Sequence, residues 1–475
     1  MRIIDKDAGM IAGRAVELKH LQGLVKSAKA ELLVVYGRRR IGKSALIRAF
    51  CEKRHALLFE ALEGEGTQKQ IMHFTSQLRE QIRDPLLGGI EFKDWDGVLA
   101  YLTTYLASNK NKCILFFDEF QWQAANQGKL ISLLKYYWDN HWKAHRPLLI
   151  LCGSIGSFMV RKVLRSKALY GRVTSEIHLR GLDLSAAKVM LSGLRSHEEI
   201  LLYLMTFGGV PKYLEEIDTS FSFHQNIDRL CFSPQGVMVN ELDRIFASQF
   251  REASVYKRIV KYLLTRPQSL EEIAEHLKIS SGGGLKQYMD NLILADMVEA
   301  VVPLGKAENT KIKRYRVCDE FLVFFAKFME PHLKLIRAGA GRTPFQRLTG
   351  PQWKPWSGLA FERFCVRNAT KLSQIMGFED QLLEFGPIYE RATPGFQVDL
   401  AFRRNDKVMT VCEIKYFDKP IDSSIIASMQ RRCELVKLPR GWMIERALIS
   451  VHGPDKALRA SNYFHHYVRL DDFLE

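Results

Sequence analysis

The sequence carries eight cysteines but no CxxC pair and no Cys/His cluster. Most of the cysteines lie inside apolar runs such as CILFF and LLILCGS. That placement argues for buried free thiols in a reducing compartment, and against a disulfide frame or a zinc site. No apolar run approaches the roughly 20 residues that a helix needs to cross a bilayer, so no membrane-spanning helix is expected. The first residues, MRIIDKDAGMIAGR, lack the apolar stretch of a secretory signal, and the expected location is the cytoplasm. Internal repeats and low-complexity tracts are also missing, which excludes solenoids and long disordered tails. Acid is scarce relative to base: 53 Asp and Glu stand against 69 Lys and Arg, a formal net charge of +16. Such an excess favours a polyanionic partner, because basic surface releases the counterions held by phosphates. A merely basic soluble protein fits the same balance.

With 475 residues, 47% of them hydrophobic, the chain has room for about three domains with real cores. Its first part alternates short, fully apolar runs (ELLVVYG, KCILFFDEF, PLLILCGS) with helical patterns. Strands without polar alternation, separated by helices, predict a parallel sheet covered on both faces. The expected fold class is therefore α/β, with a parallel-sheet core over residues 1–181. Helical spacing then dominates, and residues 182–252 read as a helical lid or connector. Residues 253–320 hold three helical patterns and two strand-like runs around a polar turn, the layout of a winged helix-turn-helix. Ser269 and Glu272 have the spacing of a capping box there, and residues 280–284 form a glycine-rich turn. Lys311, Lys313, Arg314 and Arg316 on the second wing strand are candidates to lie along phosphates; a small helical domain used only for protein contacts is the alternative. The aromatic and basic stretch 321–356, with Pro and Gly near its end, reads as a linker. A last α/β domain is expected over 357–475.

Gly37-Arg38-Arg39-Arg40-Ile41-Gly42-Lys43-Ser44 matches G-x-x-x-x-G-K-[ST] at every fixed position, after a strand-like run and before a helical one. Glycines let backbone N–H groups curl around phosphates, and the new helix points its positive end at them. Lys43 is expected to reach the β- and γ-phosphates of ATP, and Ser44 to offer its hydroxyl to Mg²⁺. The strand KCILFFDEF ends in Asp118 and Glu119. Asp118 suits the water shell of Mg²⁺, and Glu119 suits orientation of an attacking water. Ser154, at the end of PLLILCGS, is placed to sense the γ-phosphate; a strand-terminal turn is the plain alternative.

The segments IAGRAVELKHL, YGRRRIGKSAL, ILFFDEFQW, LILCGSIGSFM, YGR and GGVPKYLEEI occur in the order found in archaeal-type P-loop ATPases of the AAA+/STAND group, which the chain resembles over nearly its whole length. YRVCDEFLVFF is similar to the tyrosine–aspartate–aromatic segment of that group. The resemblance implies ATP hydrolysis, a homo-oligomer and a nucleotide contact from Arg172 in YGR. Many members carry a C-terminal nuclease domain, and a role in handling or restricting foreign or mobile DNA follows from the same likeness.

The stretch GFQVDLAFRRNDKVMTVCEIKYF, Gly395 to Phe417, bears on that last implication. Thirteen residues separate Asp399 from Glu413, so a turn centred near Asp406 sets the two acids opposite each other on adjacent strands. Like charges at such a distance repel unless a cation lies between them. Lys415, two residues on, shares the face of Glu413. Two acids and a lysine on one face suit Mg²⁺ and a phosphodiester. The pattern resembles the PD-(D/E)xK nuclease core, which implies Glu362 on the preceding helix as a further acid and Gln430 on the following helix as an accessory group. Three readings stay open: an active metal-dependent DNA nuclease, a nuclease fold kept for binding, and a solvated hairpin. The first makes the chain an ATPase whose nucleotide state governs DNA cleavage. The others make it an ATP-switched regulator or scaffold that binds DNA or a protein partner.

Overall fold

The computed structural model describes all residues except 1–3, 6–9, 83, 110, 125–127, 195, 251, 280–282, 308–309, 311, 340, 342, 391–395 and 475. Lys311, the first three residues of the glycine-rich turn and Gly395 thus lie outside the described residues. The chain divides into two compact units. One comprises Met1–Gly181, Val210–Glu215 and Asp290–Asp296; the other comprises Leu182–Gly209, Glu216–Met289 and Met297–Glu475.

The first unit is built on five parallel strands. They are β1 (Glu31–Tyr36), β2 (Ala56–Glu60), β3 (Ile114–Asp118), β4 (Leu148–Gly153) and β5 (Ser175–His178). Helix α1 (Lys43–Cys51) follows β1. The spatial order is β2-β3-β4-β1-β5, and every pairing is parallel. Every residue of β1, β3 and β4 is buried, as the unbroken apolar runs require of strands covered on both faces. The central position of β1 and β4 brings the loops after them to one edge of the sheet. Aromatic packing closes one face: Phe59 stacks on Phe74 at 3.8 Å, and Phe117 meets both edge-on.

The second unit holds α2 (His197–Phe207), α3 (Ala253–Leu263) and α4 (Leu270–Leu277). Helix α5 (Gly283–Leu294) leads to the antiparallel pair β6 (Val298–Val301) and β7 (Arg314–Val317). The capping box forms: Glu272 N–H donates to Ser269 Oγ at 3.2 Å, and Ser269 N–H donates to the Glu272 carboxylate at 2.6 Å. Gln268, just ahead of α4, bonds Tyr315 through both backbone groups at 3.0 and 2.7 Å, adding a third extended segment to the hairpin.

The stretch expected as a linker is a correction. Residues 320–337 are almost continuously helical, and α6 (Pro344–Arg367) runs for 24 residues with Pro351 and Pro355 inside it. The expected boundary at 356/357 falls within this helix. Its aromatic residues are not linker surface, because Phe321, Phe324, Phe328, Phe345 and Trp356 are buried. Trp353 stacks on Trp356 at 4.8 Å and meets Phe223 at 5.6 Å. Apolar burial worth about 1.5–3 kcal/mol per large side chain holds the helix down and outweighs the breaking tendency of its prolines.

Helix α6 feeds a mixed sheet of β8 (Leu382–Glu390), β9 (Phe396–Arg404), β10 (Val408–Lys415), β11 (Met443–Ser450) and β12 (His466–Arg469), in that spatial order. The first three are antiparallel to one another; β10, β11 and β12 are parallel. Helix α7 (Ile425–Leu435) makes the crossover from β10 to β11. It packs Ile425 and Met429 into a core with Val398, Val411 and Leu448.

Candidate functional site

Gly37 opens the loop after β1 at φ 152°, and a Cβ there would meet the Leu179 carbonyl oxygen at 2.3 Å, so only glycine fits. Arg40 and Gly42 take φ 69° and 90°, which bends the loop into a concave run of backbone N–H groups ahead of α1. Lys43 is buried and donates to the carbonyls of Gly37 at 3.0 Å and Arg38 at 2.9 Å. Its ammonium therefore spans the mouth of the loop, where a phosphate would replace those carbonyls as acceptor.

Asp118 ends β3, buried, and its carboxylate is hydrogen-bonded to Ser44. Burial pushes the Asp118 carboxyl above its ordinary range; the Ser44 bond opposes this and the charge of Glu119 adds to it. Glu119 adopts φ 50°, which turns it out of the strand line. Its Oε2 accepts from Ser154 Oγ at 2.7 Å and from the Gln121 amide, which also donates to Ser154 at 3.2 Å. Gly153 makes room for this network, since a Cβ there would meet Gln121 Oε1 at 2.5 Å. The expected residues Ser44, Asp118, Glu119 and Ser154 are thus linked by direct bonds. Gln121 is a site residue that the sequence reading missed; its signal is its place two residues after Glu119, at the start of a short helix.

The arginines divide. Arg38 is buried, with its guanidinium 5.6 Å from the Tyr213 ring and NH2 donating to the Tyr213 hydroxyl at 3.3 Å. Tyr213 belongs to GGVPKYLEEI, so that motif reaches the phosphate loop. Arg39 pairs with Glu63 at 3.0 Å on exposed surface, and Arg40 is half-buried. Arg14, buried, donates to the Ile41 carbonyl at 3.1 Å and the Arg180 carbonyl at 2.8 Å, bracing the loop from behind. Arg172 is a correction. Thr174 N–H bonds Leu32 at 2.9 Å, so Arg172 lies at the edge of the sheet where β1 begins, opposite the phosphate loop. There it forms a two-pronged pair with Asp139, at 2.6–3.0 Å. An arginine held by a carboxylate at that edge does not face the phosphate loop of its own chain.

The arginines expected along phosphates on the second hairpin strand are engaged by acids. Arg314 pairs with Glu272, and Arg316 with Glu299 at 2.5 Å. Lys313 lies over the Tyr315 ring at 5.8 Å. Two of the expected phosphate contacts are thus neutralised by acids of their own unit.

In the C-terminal sheet, β9 and β10 pair as Ala401↔Val411, Phe402↔Thr410 and Arg403↔Met409. The recorded pairing ends at Ala401↔Val411; extended by two residues, its phase is the one that a turn centred on Asp406 requires for Asp399 and Glu413. Glu413 is fully buried at its side chain, and Lys415 Nζ stands 2.8 Å from its Oε1. That approach is off the hydrogen-bonding direction, and Oε1 has no hydrogen-bond partner. Oε2 accepts from Arg432 on α7. Asp399 accepts from Gln397 at 2.7 Å. Glu362, on α6, is pushed up to about 7, mainly by burial, then by the Asp399 charge, with Glu413 adding and Lys415 opposing. The four expected residues are therefore gathered electrostatically. Gln430 is not with them: it is exposed and bonds Glu434 at 3.1 Å, and Arg432, unforeseen, takes the inward place on α7. Among the described residues no three His, Cys, Asp or Glu side chains stand together as a ready cation site. The donor set still suits a hard divalent cation in kind, with the charges of Asp399 and Glu413 close enough to raise Glu362 and a buried Glu413 Oε1 that lacks a hydrogen bond.

Among the described residues no helix is long and apolar enough to cross a membrane. Residues 11–217 match the family model of an ATPase domain predominantly from Archaea. An uncharacterized protein of Methanocaldococcus jannaschii is 27% identical over 433 residues, spanning 90% of this chain and 93% of that one. A Walker-type ATPase of Pyrococcus abyssi, 18% identical, covers 68% of this chain and 97% of its own at a TM-score of 0.50. The ORC2 protein of Aeropyrum pernix, 13% identical, overlaps 71% of this chain and 97% of its own more loosely, at 0.43. At such identities the structural likeness speaks to the fold alone. With its phosphate loop, acidic strand end and neighbouring polar residue joined as described, the segment 11–217 is a P-loop ATPase domain.

Proposed function

We propose that the chain is an ATP-hydrolysing, DNA-binding protein of the cytoplasm that works as a homo-oligomer and carries a Mg²⁺-dependent DNA endonuclease at its C-terminus. ATP with Mg²⁺ supplies the scissile phosphoanhydride and its counter-charge. The backbone of residues 37–44 cradles the phosphates, and Lys43 exchanges its carbonyl partners for phosphate oxygens. Ser44 and Asp118 hold the metal. Glu119, fixed by Ser154 and Gln121, orients the attacking water.

The nuclease reading rests on the gathering of Glu362, Asp399, Glu413 and Lys415 around one sheet edge. The helix that carries Glu362 ahead of the antiparallel strands that carry Asp399 and Glu413 supports it, as the PD-(D/E)xK resemblance implies. Asp399 and Glu413 are the metal-facing acids, and Lys415 is poised to stabilise charge on the phosphodiester. The three helices and hairpin of residues 253–317 are read as a winged helix that holds duplex DNA, and the excess of base favours that partner. Handling of foreign or mobile DNA is the role such a pairing of activities suits.

One observation favours a second reading. Glu413 already carries two cations, Lys415 and Arg432, as it would in an inert domain of an ATP-switched regulator that binds DNA or a protein partner. Plasmid cleavage in Mg²⁺ separates the two. Wild type should nick or linearise DNA, Asp399→Ala should not, and Lys43→Ala should lose the dependence on nucleotide. Absence of cleavage in every nucleotide state leaves the regulator reading.

A further inference from the structure

We propose that Arg432 is a guanidinium gate on the C-terminal carboxylates: it occupies Glu413 in the metal-free protein, and a divalent cation binds only by displacing it. This rests on the reading of Asp399 and Glu413 as metal-facing acids. Glu413 lies on a strand whose residues Met409 to Ile414 are all buried, and its own side chain is 0% exposed. A carboxylate taken that far from water needs a counter-charge. Two are present. Lys415 comes from the same strand and shares its face. Arg432 comes from the crossover helix, between the buried anchor Met429 and the half-buried Cys433, and donates to Oε2.

The arrangement has the features of a gate. Arg432 and Lys415 are 32% and 30% exposed, so either head can swing to solvent without disturbing the core. Oε1, buried and without a hydrogen bond, is faced by the Lys415 ammonium at 2.8 Å, so a cation there also requires that ammonium to swing aside. Glu362 and Asp399 bring further negative charge to the same edge. A guanidinium and a divalent cation cannot share one carboxylate pocket without strong repulsion.

The test is Mn²⁺ binding to the full chain without nucleotide, by calorimetry, with Asp399→Asn marking which binding belongs to this site. Arg432→Gln should tighten the Asp399-dependent affinity at least about tenfold, and Arg432→Lys should fall between. Thermal unfolding guards against a misfolded variant: Arg432→Gln should unfold earlier than wild type in chelator and recover with Mn²⁺. Equal or weaker Mn²⁺ affinity in Arg432→Gln, with an Asp399-dependent site present, overturns the gate and leaves the metal-site reading standing. No Asp399-dependent binding in any variant overturns both.

Discussion

Glu362 sits on α6 with Asp399 and Glu413 nearby, and its carboxyl is pushed up to about 7 from an ordinary 4.5. An acid raised in the folded state binds its proton more tightly there, so folding loses stability as pH rises between those two values and keeps the deficit above them. Glu362→Gln removes the deficit. In chelator it should be more stable than wild type at pH 8 by on the order of 2 kcal/mol. The gap should shrink toward zero near pH 4.5, and denaturant titrations at the two pH values check this. In the ATPase domain, Lys43→Ala should lower phosphate release at least about 100-fold, since it removes the cation held over the phosphate loop. Arg172→Ala makes the opposite prediction. Its pairing with Asp139 lies at the far edge of the sheet, so hydrolysis should be unchanged while stability falls by about 1 kcal/mol. A large loss of hydrolysis with intact folding would return Arg172 to the nucleotide.

Among the elements, helix α4 shows how one residue serves two structures. Glu272 closes the capping box with Ser269 and also receives Arg314 from β7. Ser269→Ala should cost about 1 kcal/mol. Glu272→Ala should cost more, because it also leaves Arg314 without its carboxylate; chemical denaturation of the two variants gives the comparison. If the hairpin lies on DNA, Glu299→Gln should strengthen duplex binding by freeing Arg316, and fluorescence anisotropy would read this directly. Arg314 and Arg316 were legible as base but not as paired base, since the acids that neutralise them lie 42 and 17 residues away in the chain.

For the whole molecule, α6 matters most. It runs from an aromatic cluster at Phe345, Trp353 and Trp356 to Glu362 at the carboxylate edge. Limited proteolysis should therefore spare residues 344–367, whereas a true linker would be cut there. Pro351, Pro355 and Gly350 argued for a linker because local propensity was the only guide. Burial against Phe223 and Phe324 reverses that preference, and it depends on residues more than 100 positions apart in one case. The excess of base also acts at this scale: duplex affinity should fall more than about tenfold between 50 and 200 mM salt if several lysines and arginines neutralise phosphates.

The phosphate loop, the acidic end of β3, the polar end of β4, the capping box and the phase of the Asp399/Glu413 hairpin were all readable in the chain. Each depends on spacing within one element or across one turn, and local geometry sets such spacing. Tertiary structure alone decided the partners of the long charged side chains: Arg172 on Asp139, Arg316 on Glu299, Arg432 on Glu413, Gln121 beside Glu119 and Ser154. A flexible side chain reaches over several ångströms, so its partner depends on which elements the core brings together. The same physics makes α6 one helix, because buried aromatic surface outweighs two prolines only once the surrounding helices are in place.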